Sequence, residues 1–135
     1  YPMHPDTYHD TMDTFGDRVA KAIVTVRDAW QQGGTVLHCT AGRDRTGLVL
    51  GLLLQLPDIP GGVASWEEQA RVYASGAHGI NEHHRVHPIP HPYESYLTPE
   101  EFQRELKDRL VSYRKFLQEW PPERVEELLD RHRRD

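Results

Sequence analysis

Residues 35–56 read TVLHCTAGRDRTGLVLGLLLQL, and this stretch decides what fold the chain is expected to adopt. The run 35–39 is short, apolar and rich in β-branched residues, which is typical of a buried strand. Residues 40–46 are small and polar, and Gly42 permits tight loop geometry. The residues from 47 onward are apolar on all sides, as expected for a helix in the centre of a domain. The stretch therefore predicts a strand, a polar loop and a buried helix.

The segments on either side of this stretch are mostly helical in pattern. Apolar residues at three- and four-residue steps predict an amphipathic helix from residue 14 that ends at Gly33-Gly34. Residues 1–13 are expected to form an irregular loop. The letters Ser-Trp-Glu-Glu predict a capped helix over 65–75, followed by a His- and Pro-rich connection over 76–97. Helices are expected over 98–135, where Thr-Pro-Glu-Glu again gives a capping signal.

The bulk composition limits the possible functions. With 135 residues the chain has the length of one domain, and its net charge of −5 gives no overall basic field that would attract nucleic acid. The single cysteine excludes an internal disulfide, and no apolar run is long enough to cross a membrane. A cytoplasmic location is predicted. Export is the alternative, because the chain begins at Tyr1 rather than methionine and the true N-terminus can lie outside it.

The polar loop between the expected strand and helix has the chemistry of an anion site. A helix N-terminus presents unpaired amides and a positive dipole end, which suit a phosphate dianion. Cys39 lies at the bottom of this loop, where the same potential is expected to lower the pKa of its thiol. The guanidinium of Arg45 matches two phosphate oxygens at once, and Thr46 can donate a hydrogen bond to the sulfur. The phosphate-binding set is thus Thr40, Ala41, Gly42, Arg43, Asp44 and Arg45.

The pattern His38-Cys39-x5-Arg45-Thr46 resembles the signature loop of the protein tyrosine phosphatases. Its letters are similar to those of bacterial tyrosine and dual-specificity phosphatases whose loop reads Gly-Lys-Asp-Arg-Thr-Gly, a group associated with phosphotyrosine and phosphoinositide substrates. Arg43 stands where that group has lysine. This residue is interpreted either as an additional cation for substrates with more than one phosphate or as a charge that offsets Asp44.

The resemblance implies a general acid, and two aspartates are candidates. His4-Pro5-Asp6 is similar to the family's Trp-Pro-Asp acid loop, with His4 in place of tryptophan. Asp44, inside the signature loop, is the competitor, because an aspartate at that position has this role in related lipid phosphatases. Asp10 and Asp13 remain further alternatives.

The resemblance also implies the fold and the reaction. We expect one α/β catalytic domain with a parallel sheet flanked by helices, a helix-rich C-terminal half, and its N-terminal strands outside this chain. The expected function is phosphomonoester hydrolysis through a phosphocysteine intermediate, on a phosphorylated protein or a phosphoinositide. No cofactor or metal is expected, since the prolines after His87 disfavour a helix that would align the histidines as ligands. The alternative is an inactive module that recognises phosphate.

Overall fold

The computed structural model of the chain describes residues 4–39, 42–87 and 94–134. Within these ranges the chain forms five α-helices, preceded by a single turn of 3₁₀ helix. In chain order the elements are the 3₁₀ turn Pro5–Thr7, α1 (Tyr8–Trp30), α2 (Asp44–Leu53), α3 (Trp66–Val86), α4 (Pro99–Glu119) and α5 (Pro122–Arg134).

The expected α/β class is wrong for the part of the chain that the structure describes. Those residues contain no β-strand and no sheet, and the fold is all helical. The run 35–39 is an irregular segment between α1 and α2, and Val36 within it is 86% exposed rather than buried. A strand needs a neighbouring strand to pair its backbone N–H and C=O groups. The β-branched composition of one short run could not supply that neighbour.

The N-terminal segment is more regular than its composition indicates. Instead of an irregular loop over 1–13, the described residues form the 3₁₀ turn and then the first turns of α1. Tyr8 and Met12 of this part of α1 are buried, and that burial explains why the helix starts before the predicted boundary. The helix bends at Phe15, which has φ −126° and ψ 24°.

Helix α3 is also longer than expected. Its start at Ser65 is confirmed, because the Ser65 hydroxyl accepts a hydrogen bond from the backbone N–H of Glu68. The helix continues to Val86, so the first half of the predicted connection over 76–97 is helical. Buried Ala77 is one reason, since it extends the apolar face of the helix beyond its first turns. The capping box that begins α4 at Thr98 is confirmed as well.

Helix α2 lies in the core, as its apolar sequence predicts. Its side chains at Leu48 and Leu52 are almost completely buried, against residues of α1, α3 and α4. Burial of each leucine contributes roughly 1.5–3 kcal/mol to folding. Because α2 packs against α1, α3 and α4, the position of its N-terminus, where the loop ends, is fixed. None of the helices in the described ranges is long and apolar enough to cross a membrane.

Candidate active site

The N-terminus of α2 brings Cys39 against backbone amides. The helix begins at Asp44, and the N–H of Gly47 donates to the carbonyl of Arg43 in its first turn. Just before it, the backbone N–H of Gly42 donates a hydrogen bond to the Sγ of Cys39 at 3.2 Å. Gly42 has φ +71°, a left-handed conformation that a residue with a Cβ adopts only at a cost. The sulfur thus lies at the positive end of a helix, in contact with an amide donor.

The structure describes some, but not all, of the other loop residues named from the sequence. Arg45 and Thr46 lie in the first turn of α2, and both are half-buried. The hydroxyl oxygen of Thr46 is buried and has no hydrogen-bond partner among the described residues. Thr40 and Ala41 lie outside the residues that the structure describes.

Asp44 is buried and surrounded by donors from three other helices. Its Oδ1 lies 3.1 Å from the hydroxyl of Tyr8 in α1 and 3.1 Å from the hydroxyl of Tyr73 in α3. Arg109 of α4 places Nη1 3.3 Å from Oδ1 and 3.4 Å from Oδ2, and Arg43 donates from Nε to Oδ2 at 2.8 Å. Both carboxylate oxygens therefore accept hydrogen bonds, and two guanidinium groups balance the charge. We call these five residues the Asp44 cluster.

The two tyrosines of the Asp44 cluster are held as neutral donors. Burial and the nearby Asp44 carboxylate raise the pKa of Tyr8 well above its ordinary value. Burial, with a further contribution from Asp44, raises the pKa of Tyr73 as well. Both hydroxyls therefore stay protonated throughout the physiological pH range.

Arg43 is oriented into the protein rather than presented at its surface. Its side chain is 11% exposed and forms ion pairs with Asp44 and Glu94. The carboxylate of Glu94 also lies 3.5 Å from Nε2 of His84. Burial lowers the pKa of Arg43, but the two carboxylates outweigh that effect and raise it. Of the two interpretations of Arg43, this geometry favours the one in which it offsets Asp44.

Two close contacts fix the position of the loop and of α2. The hydroxyl of Tyr113 in α4 donates to the carbonyl of Gly47 at 2.8 Å. Gly76 of α3 lies directly against the loop, because a Cβ added to it would be 2.6 Å from the carbonyl oxygen of Gly42. Helix α3 can approach the loop this closely only because residue 76 has no side chain.

Asp6 lies at the 3₁₀ turn, and its side chain is 63% exposed. Nδ1 of His4 accepts the backbone N–H of Asp6 at 3.0 Å and lies 3.0 Å from the Asp6 carboxylate. The other ring nitrogen of His4 lies 2.8 Å from Asp108 of α4. His4 thus attaches the 3₁₀ turn to α4 at Asp108, the residue before Arg109.

Sequence reasoning missed Tyr8, Tyr73, Glu94 and Arg109. A signal existed for Arg109: it falls on the apolar stripe of α4, between Leu106 and Tyr113, where an arginine needs a buried partner. The tyrosines gave no such signal, since a tyrosine on an apolar helix face is ordinary core composition.

Two histidine rings contact each other at the C-terminal end of α3. The rings of His83 and His87 lie 4.8 Å apart. In the described part of the chain, no group of three or more His, Cys, Asp or Glu side chains is arranged to hold a metal ion.

Comparisons with known proteins agree with the resemblance of the loop. Residues 1–63 match the tyrosine phosphatase family, and this match includes the loop and Asp6. A tyrosine-protein phosphatase from Nostoc commune is 63% identical over 35 residues, which are 25% of this chain and 12% of that protein. No solved structure is significantly similar. Residues 1–63, just under half of the chain, are therefore similar to tyrosine phosphatases, and the resemblance predicted from the loop is confirmed over that part.

Proposed function

We propose that this chain hydrolyses phosphomonoesters through a phosphocysteine intermediate on Cys39. The observation that carries the proposal is the hydrogen bond from the Gly42 amide to the Cys39 sulfur at the N-terminus of α2. An amide donor and a helix dipole both favour a thiolate over a thiol, and the thiolate is the nucleophile. The tyrosine phosphatase match over residues 1–63 supports the same chemistry.

The proposed reaction has two steps. The Cys39 thiolate attacks phosphorus while the bond to the leaving oxygen breaks, and Asp6 gives its proton to that oxygen. Arg45 and the loop amides bind the equatorial oxygens. These oxygens carry the negative charge that develops in the transition state. In the second step Asp6 takes a proton from water as the water attacks phosphorus and the S–P bond breaks. Thr46 donates a hydrogen bond to the departing thiolate.

Asp6 suits the acid role better than Asp44. Both oxygens of Asp44 accept hydrogen bonds from two guanidinium groups and two hydroxyls, so no oxygen is left to carry and deliver a proton. Asp6 is exposed and lies on a turn outside the core, where its backbone N–H and its carboxylate both contact Nδ1 of the His4 ring. An exposed carboxyl is accessible to the leaving oxygen in the first step and, once it has lost its proton, to the attacking water in the second.

The proposed substrate is phosphotyrosine. Arg43, the residue that would select a second phosphate, is already neutralised by Asp44 and Glu94. A phosphoinositide with several phosphates would have to displace Glu94 from it. A panel of phosphotyrosine peptide, phosphoserine peptide and phosphoinositides is expected to show the highest kcat/KM for the phosphotyrosine peptide.

The nucleophile is tested by Cys39→Ser with p-nitrophenyl phosphate as substrate. Because the chain has one cysteine, a 32P-phosphoenzyme trapped by rapid acid quench is expected only in the wild type. Turnover should fall by roughly 10³-fold or more in the variant. Wild-type turnover by Cys39→Ser would refute the mechanism. A wild-type chain that binds phosphate without turnover would instead support the alternative of a module that only recognises phosphate.

The acid is tested by leaving-group dependence. Asp6→Asn should lower kcat by about 10²-fold or more on phenyl phosphate and much less on p-nitrophenyl phosphate, whose leaving group needs little protonation. Asp10→Asn is the matched control, since this exposed aspartate on α1 is the alternative acid that lies nearest to Asp6 along the chain. If Asp10→Asn or Asp44→Asn shows the leaving-group dependence and Asp6→Asn does not, the acid has been assigned to the wrong residue.

A further inference from the structure

Asp44 places a buried negative charge next to the site where a thiolate is required. The residue is 5% exposed and lies two positions after Gly42, whose amide holds the Cys39 sulfur. A carboxylate in the same loop as the sulfur repels a thiolate, and burial reduces the screening by water. The loop therefore needs compensating positive charge for the cysteine to ionise near neutral pH.

The side chains that contact Asp44 come from α1, α3, α4 and the loop itself. Tyr8 of α1 and Tyr73 of α3 contribute neutral hydroxyls, which satisfy hydrogen bonds without cancelling charge. Arg43, on the loop itself, is shared with Glu94, which also lies beside His84. The remaining facing group is Arg109 of α4.

The Arg109 side chain is buried and lies against the Asp44 carboxylate. It is 9% exposed. Its Nη1 lies within 3.4 Å of both Asp44 oxygens and 3.2 Å from the Tyr73 hydroxyl. Its Nε donates to Glu105 at 2.9 Å. Among the described side chains that contact Asp44 from outside its own loop, Arg109 is the one with a charge. Burying an arginine this deeply is costly without an ionic partner.

We propose that Arg109 is a positioning residue of the active site, which neutralises Asp44 and so keeps the Cys39 thiol ionised. The proposal rests on the proposed function in that Cys39 is the nucleophile. It adds a residue from beyond 1–63, the part that matches the phosphatase family, and it gives α4 a role in the chemistry rather than in packing alone.

The size of the effect follows from Coulomb's law. As a general scale, a unit charge about 10 Å from a thiol, at an effective dielectric constant of about 20, shifts the pKa of that thiol by about one unit. Removal of the Arg109 charge should therefore raise the pKa of Cys39 by about one unit. Removal of the Asp44 charge should lower it, and removal of both should return it close to the wild-type value.

The experiment measures the pH dependence of iodoacetamide alkylation, which reports the thiolate without any need for turnover. The chain has one cysteine, so the rate belongs to Cys39 alone. We expect the apparent pKa to rise by about one unit in Arg109→Met, and to stay near the wild-type value in Arg109→Lys, which keeps the charge. Arg104→Met is the matched control, because it removes an exposed arginine from the same helix and should leave the pKa unchanged.

A charge-compensated pair keeps the test decisive if Arg109→Met fails to fold. Asp44→Asn and the double variant Asp44→Asn/Arg109→Met bury no unpaired charge. Their pKa values for Cys39 should differ by about one unit, with the double variant higher. Equal values in that pair, or a wild-type value in a folded Arg109→Met, would overturn the proposal. A shift as expected in a chain without phosphatase turnover would refute the proposed function and leave this inference standing.

Discussion

Gly76 offers the sharpest test of how the loop is held, because a single methyl group would reach it. A Cβ added at this position would be 2.6 Å from the carbonyl oxygen of Gly42 and 3.6 Å from its carbonyl carbon. Ordinary carbon–oxygen contacts are about 3.3–3.6 Å, so Gly76→Ala demands a movement of roughly 0.7–1 Å. The atom in the way is backbone and cannot rotate aside, so α3 or the loop must shift.

The consequence for stability is a difference between two opposing effects. Alanine is preferred to glycine inside a helix by about 1 kcal/mol. Overpacking of this kind costs about 1–3 kcal/mol. We therefore expect Gly76→Ala to lower the free energy of unfolding by up to about 2 kcal/mol, measured by urea denaturation.

The consequence for activity should be larger. The amide of Gly42 donates a hydrogen bond to the Cys39 sulfur. A displacement of Gly42 by roughly 0.7–1 Å would move this donor relative to the sulfur. A misplacement of about 1 Å costs up to roughly 10²-fold in rate. The assay is kcat/KM on p-nitrophenyl phosphate, at a temperature where the variant is fully folded by circular dichroism.

Gly79→Ala is the matched control for this prediction. It lies on the same helix, and a Cβ added there meets nothing within 4 Å. It should gain up to about 1 kcal/mol of stability and keep wild-type activity. If Gly76→Ala behaves like Gly79→Ala in both assays, the close approach of α3 does not hold the loop in place.

Two further predictions concern Thr46 and Glu94. Thr46→Val should leave stability unchanged or raise it by about 1 kcal/mol in urea denaturation, because the buried hydroxyl has no described partner, while kcat falls by roughly 10- to 100-fold and the phosphoenzyme accumulates in rapid quench. Thr46→Ser should keep kcat, and equal kcat in both variants would count against the hydroxyl's role. Burial raises the pKa of Glu94, but hydrogen bonds from Arg43 and His84 outweigh it, and the net pKa is lowered. The stabilisation is therefore complete above the unfolded pKa near 4.5 and is lost as pH falls through the lower folded value. Glu94→Gln should cost about 1–2 kcal/mol at pH 7 and progressively less as the pH falls below 4.5; a deficit that does not change with pH would contradict this.

Local patterns gave reliable predictions where the structure depends on neighbours in sequence. The capping signals at Ser65 and Thr98 depend on residues three positions apart, and both caps form as expected. The buried helix α2 follows from its continuous apolar composition. The loop motif between Cys39 and Arg45 likewise predicted a resemblance to tyrosine phosphatases, and residues 1–63 match that family.

Predictions that depended on distant partners failed or were never made. The expected strand over 35–39 needed a second strand that the described residues do not supply, and Val36 is instead 86% exposed. The start of α1 was placed too late because its polar first turns gave no sign that Tyr8 would be buried.

Patterns of neighbouring residues were enough to predict the helix caps, the buried α2 and the resemblance of the loop. The surroundings of Asp44 depend instead on the packing of the helices, because Tyr73, Tyr8 and Arg109 lie 29, 36 and 65 positions away from it along the chain. The physical reason is that hydrogen-bonded helices and caps arise within a few residues, whereas the balance of charge at a buried carboxylate depends on which helices pack around it.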